Sequence, residues 1–232
     1  VSSIGAAEGL AINAPSALEA VEIGGRSFLL AAATGSSSIS VFEIGPGGAL
    51  IATDHVVDDR TSRFQNLTAL ETVTVDGRAY VIAGGADDGL SLFTLLPDGR
   101  LLHLDTIEDR AGLSLQNVSA VSAAVAHGRV QVFAGSGSEA GLTQLDIALG
   151  SAGQIVAAGG PGRMDATVGD DILQDSPGDD DLRGLAGDDI LIGGRGADRL
   201  YGGTGRDIFV LAADGTGDQI RDFERGLDSI DL

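Results

Sequence analysis

Apolar and polar residues alternate in short runs over roughly the first 158 residues, and Gly, Pro, Asn and Asp separate the runs. Helical periodicity is weak throughout this part. In one well-defined group the pattern predicts four short strands, at about residues 68–75, 78–84, 90–95 and 101–107. Asp76-Gly77 and Pro97-Asp98-Gly99 supply the turn residues between them. The pattern therefore predicts an all-β domain of short antiparallel strands.

This group of strands is one of three internal repeats. Residues 15–60, 67–110 and 118–147 align with one another, and a Gly-Arg pair recurs at residues 25, 77 and 128, at spacings of 52 and 51. Four antiparallel strands in such a period are typical of a β-propeller blade. The segment "DGRAYVIAGGADDGLSLFTLLPDGRLLHLDTI" resembles a blade of the lactonase-type seven-bladed β-propellers. The resemblance implies propeller-like blades over about residues 1–155.

About three blades do not close a propeller, which typically needs about four to eight. Three arrangements stay open from the sequence. The chain is part of a longer protein with further blades, two chains pool their blades, or an open stack of blades is capped by a neighbour. The second and third arrangements imply a homo-oligomer or a larger assembly.

Glycine and aspartate recur every nine residues in the segment "GDDILQDSPGDDDLRGLAGDDILIGGRGADRLYGGTGRD", residues 169–207. The glycines are Gly169, Gly178, Gly187, Gly196 and Gly205. The aspartates are Asp171, Asp180, Asp189, Asp198 and Asp207. A large apolar residue stands two positions after each aspartate, at Leu173, Leu182, Leu191, Leu200 and Phe209. Disorder would not require an apolar residue at every ninth position, so the pattern indicates a folded repeat.

This array resembles the G-G-x-G-x-D-x-U-x nonapeptide repeat of RTX (hemolysin-type) calcium-binding proteins, where U is a large apolar residue. The resemblance implies a parallel β-roll in which two nonapeptides form one coil, so that turns 18 residues apart stack on the same edge. Ca²⁺ prefers about six to eight oxygen ligands, and stacked turns offer both carboxylates and carbonyls. By resemblance, Asp171 pairs with Asp189, Asp189 with Asp207, and Asp180 with Asp198. We expect about three interior ions plus partly formed end sites.

The start of the array departs from the repeat. The double glycine is present at Gly193-Gly194 and Gly202-Gly203. It is replaced in the earlier repeats by Ala166-Thr167, Asp175-Ser176 and Gly184-Leu185. We therefore expect the best-formed sites between the third and fifth repeats. Three further aspartates directly precede the motif aspartates, and we expect their carboxylates to face solvent; they are Asp170, Asp179 and Asp188.

The segment after the array, "DIFVLAADGTGDQIRDFERGLDSIDL" (207–232), resembles the cap of RTX β-rolls. Its acidic positions are Asp218, Asp222 and Asp228, which we add to the metal-binding candidates. In the RTX family the C-terminus carries an uncleaved signal for type I secretion. The resemblance thus implies a secreted, extracellular or cell-surface protein.

Charge agrees with a cation partner. The chain carries 34 acidic residues against 14 basic ones, a formal net charge of −20, and every basic residue is arginine. Such a surface would repel nucleic acid and anionic membranes and attract divalent cations. There is no cysteine, which excludes disulfides and thiolate metal sites, and no apolar run is long enough to span a membrane.

Catalytic candidates are few. Neither the H-E-x-x-H nor the G-x-S-x-G motif occurs, and the three histidines are His55, His103 and His127. Thr53-Asp54-His55 could supply an acid/base pair, but we interpret His55 and His103 as edge residues of equivalent outer strands. A set of polar residues recurs between blades, at Arg60, Arg63, Gln65, Asn66, Arg110, Gln116 and Asn117. It could bind a protein or glycan, although strand capping and charge balance explain it more simply.

We therefore predict propeller-like blade repeats at 1–158, a linker at 159–166, and an RTX β-roll with its cap at 167–232. The predicted function is a secreted calcium-binding protein whose roll folds on Ca²⁺ after type I export. The blade domain would be a binding or structural module. The alternative is a fragment of a secreted lactonase-like hydrolase, which carboxylates or histidines converging at a propeller centre would favour.

Overall fold

The fold is entirely β apart from a single helical turn at Pro46–Gly48 within the described residues. The computed structural model describes residues 12–127, 129–148, 152–157, 162–175 and 177–232. It divides into a blade unit, Val1–Ala148, and a roll unit, Leu149–Leu232. Among the described residues, no helix has the length and apolar character needed to cross a membrane.

The first antiparallel sheet of the blade unit has four strands in sequential order. They are β1 (Pro15–Ile23), β2 (Arg26–Ala33), β3 (Ser38–Ile44) and β4 (Leu50–Val57). Its β1–β2 turn uses Gly24 and Gly25, both with positive φ. The meander order follows from these short connections, because a tight turn can only join neighbouring antiparallel strands.

The second sheet repeats this order in β5 (Ala69–Val75), β6 (Arg78–Gly84), β7 (Gly89–Leu95) and β8 (Leu101–Glu108). The four strands predicted from the sequence are confirmed. Asp76 and Gly77 have φ values of 49° and 85°, as the β5–β6 hairpin requires. Every residue of β7 is buried. The sheet is therefore covered on both faces along β7, as expected for an interior blade.

The third sheet has three described strands, in the order β11-β10-β9. They are β9 (Val118–Ala126), β10 (Arg129–Ser136) and β11 (Leu142–Ile147). Hydrogen bonds tie neighbouring sheets together: Ser16 Oγ donates to the Leu67 carbonyl at 2.7 Å, and Thr68 Oγ1 donates to the Val118 carbonyl. The blade-like repeats thus pack in chain order.

The roll unit is a two-sheet parallel solenoid. One sheet contains β12 (Ala152–Ala157), β14 (Asp170–Gln174), β16 (Ile190–Ile192), β18 (Ile208–Val210) and β20 (Ser229–Asp231). The other contains β13 (Arg163–Asp165), β15 (Asp181–Ala186), β17 (Arg199–Thr204) and β19 (Gln219–Ile220). The chain alternates between the sheets, so two strands and two turns make one coil, as the resemblance implied.

The core of the roll comes from the apolar residue of each nonapeptide. Leu173 pairs in register with Leu191 and then Phe209, while Leu182 pairs with Leu200 in the facing sheet. All five side chains are fully buried and form one cluster. The period of nine is thereby explained, because each repeat contributes one large side chain to this core.

The boundary between the units lies earlier than the sequence predicted. β12 was assigned to the blades, but it pairs in parallel with β14 and so belongs to the roll. β13 falls inside the predicted linker and pairs with β15. Of the predicted linker residues, 159–161 lie outside the described part of the chain. This first coil departs from the nonapeptide consensus, so the sequence pattern did not assign it to the roll. Its backbone N–H and C=O groups nevertheless form hydrogen bonds with the strands of the roll.

Candidate calcium site

The five motif aspartates stand at the entry to the parallel strands, on two edges of the roll. Their relative exposures are 0% for Asp171, 3% for Asp180, 0% for Asp189, 0% for Asp198 and 1% for Asp207. Ionised carboxylates are rarely so buried unless a cation or several donors compensate them. The structure therefore concentrates negative charge inside the roll, where it is most costly.

One edge, which we call the first ladder, consists of Asp171, Asp189, Asp207 and Asp228. The Asp171 amide donates to Asp189 Oδ1 at 2.7 Å, and the Asp189 amide donates to Asp207 Oδ1 at 3.0 Å. The Asp207 amide donates to Asp228 Oδ1 at 3.0 Å. Asp228 therefore continues the ladder beyond the last nonapeptide.

The opposite edge, the second ladder, consists of Asp180, Asp198 and Asp218. The Asp180 amide donates to Asp198 Oδ1 at 2.9 Å, and the Asp198 amide donates to Asp218 Oδ1 at 3.1 Å. The pairs expected from the resemblance are thus brought together on both edges. Asp222 lies elsewhere and accepts from the Gly202 and Gly203 amides, at 2.9 and 3.1 Å.

The second carboxylate oxygen of four motif aspartates suits a cation. Within the described part of the chain, Oδ2 of Asp180, Asp189, Asp198 and Asp207 is buried and has no hydrogen-bond partner. At the first ladder, Asp189 Oδ2 and the Gly202 carbonyl oxygen lie 2.2 and 2.5 Å from the point where a Gly184 Cβ would stand. A carboxylate and a carbonyl oxygen thus converge, which fits the oxygen ligands that Ca²⁺ requires.

The turn glycines stack directly on one another. A Cβ on Gly196 would lie 1.9 Å from the Gly178 carbonyl oxygen, and one on Gly205 would lie 2.0 Å from that of Gly187. Gly187 itself would meet the Gly169 carbonyl oxygen at 2.6 Å. Any side chain at these positions would push the coils apart, which explains why glycine recurs there.

Substitution Gly196→Ala is expected to destabilise the roll by about 1–3 kcal/mol, because the added methyl overlaps the preceding coil and φ is +142°. Gly217→Ala is the matched control, since its Cβ would meet nothing within 4 Å. Chemical denaturation at saturating Ca²⁺ measures the difference. Equal stability of the two variants would contradict the close stacking.

Sequence reasoning missed part of the site. Asp170, Asp179 and Asp188 were expected to face solvent, and Asp179 is exposed while the other two are partly exposed. Each also accepts a backbone N–H from the turn 18 residues further on, at 2.8, 2.9 and 2.8 Å, which was not predicted. In these hydrogen bonds the later turn donates to the earlier aspartate. In the two ladders the direction is opposite, because the amide of the earlier aspartate donates to the later one. Their recurrence every nine residues was the available signal. Asp175 was also missed, and an oxygen of it lies within 4.8 Å of oxygens of Asp180 and Asp198.

Burial raises the pKa of Asp189 to about 7, and the carboxylates of Asp207 and Asp171 add to the rise. Burial likewise raises the pKa of Asp198 to about 6, with Asp218 and Asp180 contributing, and that of Asp207 to about 6, with Asp228 and Asp222 contributing. The fold without metal therefore raises the cost of ionising these groups, so they keep their protons to a higher pH than free aspartates do.

Acidification is accordingly expected to stabilise the metal-free roll. A carboxyl whose pKa is raised on folding binds protons in the folded state, so its stabilisation is complete below about pH 4 and is lost as pH rises through about 6–7. Denaturation of the EGTA-treated chain at about pH 5 and about pH 8 tests this. A metal-free roll that is more stable at pH 8 would contradict the assigned burial.

The other candidate residues have structural contacts. His55 and His103 lie on the equivalent outer strands β4 and β8, where His55 Nδ1 contacts Ser40 Oγ at 2.8 Å and His103 Nε2 contacts Thr106 Oγ1 at 2.9 Å. Burial lowers the pKa of His103. Asp54 accepts the Leu101 amide of the next sheet at 2.7 Å.

The polar set between the blades combines exposed side chains with backbone roles. Asn66 and Asn117 have φ values of 48° and 46°, a conformation that asparagine adopts more readily than most residues. Arg63 forms an ion pair with Glu108. Arg60 and Arg110 are exposed at equivalent positions. The two asparagines and Arg63 therefore have structural roles. Arg60 and Arg110 are the arginines of this set whose side chains are accessible.

Comparison with known proteins identifies the array. The family described as RTX calcium-binding nonapeptide repeat (4 copies) matches residues 165–200 and 176–209. A solved structure of a protein from Lactobacillus plantarum is 18% identical over 51% of this chain and 38% of that chain, with a TM-score of 0.31. A search of curated protein sequences gave no match. Residues 165–209 therefore match the RTX calcium-binding nonapeptide repeat, and this segment folds as part of a parallel β-roll.

Proposed function

We propose that this chain is a secreted calcium-binding RTX protein whose roll folds on Ca²⁺ after type I export. The observation that carries the proposal is the set of buried motif aspartates, four of which have a carboxylate oxygen without a hydrogen-bond partner among the described residues. Like charges in such an environment disfavour the fold, and a divalent cation removes that cost.

In this proposal each ion is held by aspartates of neighbouring coils and by backbone carbonyls of the turns. The carboxylates would come from Asp171, Asp180, Asp189, Asp198 and Asp207, and the turn carbonyls from Gly169, Gly178, Gly187, Gly196 and Gly205. At the C-terminal end, the cap aspartates Asp218, Asp222 and Asp228 would complete the outermost turns. About three interior ions, with partly formed end sites, would load the roll.

In this proposal, calcium binding drives the folding of the roll. Binding free energy becomes folding free energy when the ligands do not assemble without metal. Extracellular calcium modules bind at about 10⁻⁴ to 10⁻³ M, far weaker than cytosolic sensors. A roll of that affinity would stay unfolded inside the cell, as passage through a narrow export channel requires, and would fold outside.

The blade unit would act as a binding or structural module, at the cell surface or in an extracellular assembly. Support comes from the exposed Arg60 and Arg110, which the repeat places at equivalent positions between blades. An accessible guanidinium after each of the first two repeats suits an acidic protein or glycan partner. Binding at this surface would leave the calcium sites, which lie in the other unit, free to control folding.

Isothermal titration of the full chain with CaCl₂, and with MgCl₂ as control, tests the proposal. We expect about three ions at Kd values of about 10⁻⁴ to 10⁻³ M and much weaker Mg²⁺ binding, because Mg²⁺ demands a compact octahedral site. Submicromolar Ca²⁺ affinity would contradict folding after export. Absence of any Ca²⁺ heat would contradict the calcium function itself.

A further inference from the structure

Asp175 occupies a register position that holds glycine in each of the next three repeats. A side chain at that position is aimed at the motif aspartate five residues later. A Cβ at each of these glycines would lie close to that aspartate: 2.2 Å from Asp189 Oδ2 at Gly184, 3.1 Å from Asp198 Oδ2 at Gly193, and 2.1 Å from Asp207 Oδ2 at Gly202. By the same register, the side chain of Asp175 is directed toward Asp180.

The structure places three carboxylates together at this point. One oxygen each of Asp175, Asp180 and Asp198 lies within 4.8 Å of the other two. Two oxygens bound to one Ca²⁺ at about 2.4 to 2.5 Å can be at most about 5 Å apart. The spacing is therefore compatible with a single shared cation.

In two of the three carboxylates only one oxygen accepts a hydrogen bond from the described residues. Asp180 is 3% exposed and Asp198 is 0% exposed, and within the described residues Oδ2 of each has no hydrogen-bond partner. Their Oδ1 atoms are used, since Asp180 Oδ1 accepts the Gly162 amide and Asp198 Oδ1 accepts the Asp180 amide. The unpartnered oxygens thus belong to the same ladder that Asp175 joins.

The first ladder supplies the comparison. Its pair Asp189 and Asp207 has Gly184 where the second ladder has Asp175, so it offers one carboxylate fewer at the corresponding place. Affinity for Ca²⁺ rises with the charge of the ligand set. The departure from the nonapeptide pattern at Asp175 therefore adds a ligand rather than weakening the site.

We propose that Asp175, Asp180 and Asp198 form a three-carboxylate calcium site that binds more tightly than the first-ladder sites and is loaded first. This inference rests on the proposed calcium function. It reverses the order expected from the glycine pattern, which favoured the later repeats.

The test is a CaCl₂ titration of the full chain followed by the backbone amide resonances in ¹H–¹⁵N NMR. Gly178 and Gly196 report on the second ladder, and Gly187 and Gly205 on the first. In the unaltered chain, Gly178 and Gly196 should reach half-saturation at the lower calcium concentration. Asp175→Asn should raise their midpoint by on the order of tenfold and remove this order, because it keeps the side-chain shape and loses the charge.

Asp165→Asn is the matched control, since it removes one charge from an exposed ion pair with Arg163 in the same unit. It should leave the order unchanged. Asp175→Gly, which restores the repeat residue, should act as Asp175→Asn does and guards against a folding defect of either variant. An unchanged order in both Asp175 variants, or simultaneous loading in the unaltered chain, would overturn the inference. Absence of any calcium-dependent shift would instead overturn the proposed function.

Discussion

Removal of calcium with EGTA is expected to raise amide hydrogen exchange across the roll strands β14–β18 and to leave β5–β8 of the blade unit protected. The roll holds five aspartates that are at most 3% exposed, and without a cation each ionised group bears the cost of desolvation and of its like-charged neighbours. The blade sheets have an apolar core that needs no metal. Hydrogen exchange with mass spectrometry resolves the two units in one sample.

The size of this effect follows from linkage. A ligand at about 100 times its Kd stabilises the state that binds it by about 2.7 kcal/mol per site, so about three sites amount to roughly 8 kcal/mol, comparable to the whole stability of a small domain. Magnesium in place of calcium is the control and should not restore protection. Full protection of β14–β18 in EGTA would contradict metal-coupled folding.

Asp189→Asn is expected to have opposite effects in the absence and presence of calcium. Asp189 is the middle member of the first ladder and lies between Asp171 and Asp207. Burial raises its pKa to about 7, so at pH 8 the metal-free fold must hold an ionised group that prefers to be neutral. The amide removes that charge and keeps an oxygen to accept the Asp171 N–H, which should stabilise the metal-free roll by on the order of 1–3 kcal/mol.

In the presence of calcium, Asp189→Asn should destabilise the roll instead. The two sites that share Asp189 would each lose a carboxylate, and at calcium near 100 times Kd each lost site removes about 2.7 kcal/mol. Urea denaturation at about pH 8 with EGTA and with excess CaCl₂ gives both numbers. Asp165→Asn is the control, because its exposed carboxylate should change stability little in either condition. Destabilisation of the Asn variant in EGTA would contradict the burial cost assigned to Asp189.

The strands could be predicted from local sequence patterns, because strand and turn formation depends largely on residues that are close together in the chain. The strands predicted at 78–84 and 90–95 are β6 and β7, with bounds that agree within one residue. Asp76 and Gly77 take the positive φ values that a two-residue hairpin needs. In the roll, the apolar residue that recurs in each nonapeptide was enough to predict the core cluster, since all five of these side chains are fully buried in it.

Predictions failed where the outcome depends on contacts between coils. The β12 sequence reads equally well as a last blade strand, and only its pairing with β14 assigns it to the roll. The hydrogen bonds that the carboxylates of Asp170, Asp179 and Asp188 accept were not predicted, because the backbone donors lie 18 residues further on. Asp175 looked like a defect for the same reason, since its neighbour Asp198 is contributed by the coil above.

By itself, the sequence determined that this chain is all-β, that its array has the spacing of RTX repeats, and which aspartates recur at a period that suits calcium. Those properties follow from periodicity and turn chemistry, which act within a few residues. The tertiary structure decided where the units divide, which carboxylate oxygens are buried without hydrogen-bond partners among the described residues, and that a third carboxylate joins the second ladder. Those properties depend on how one coil stacks on the next, which no local pattern encodes.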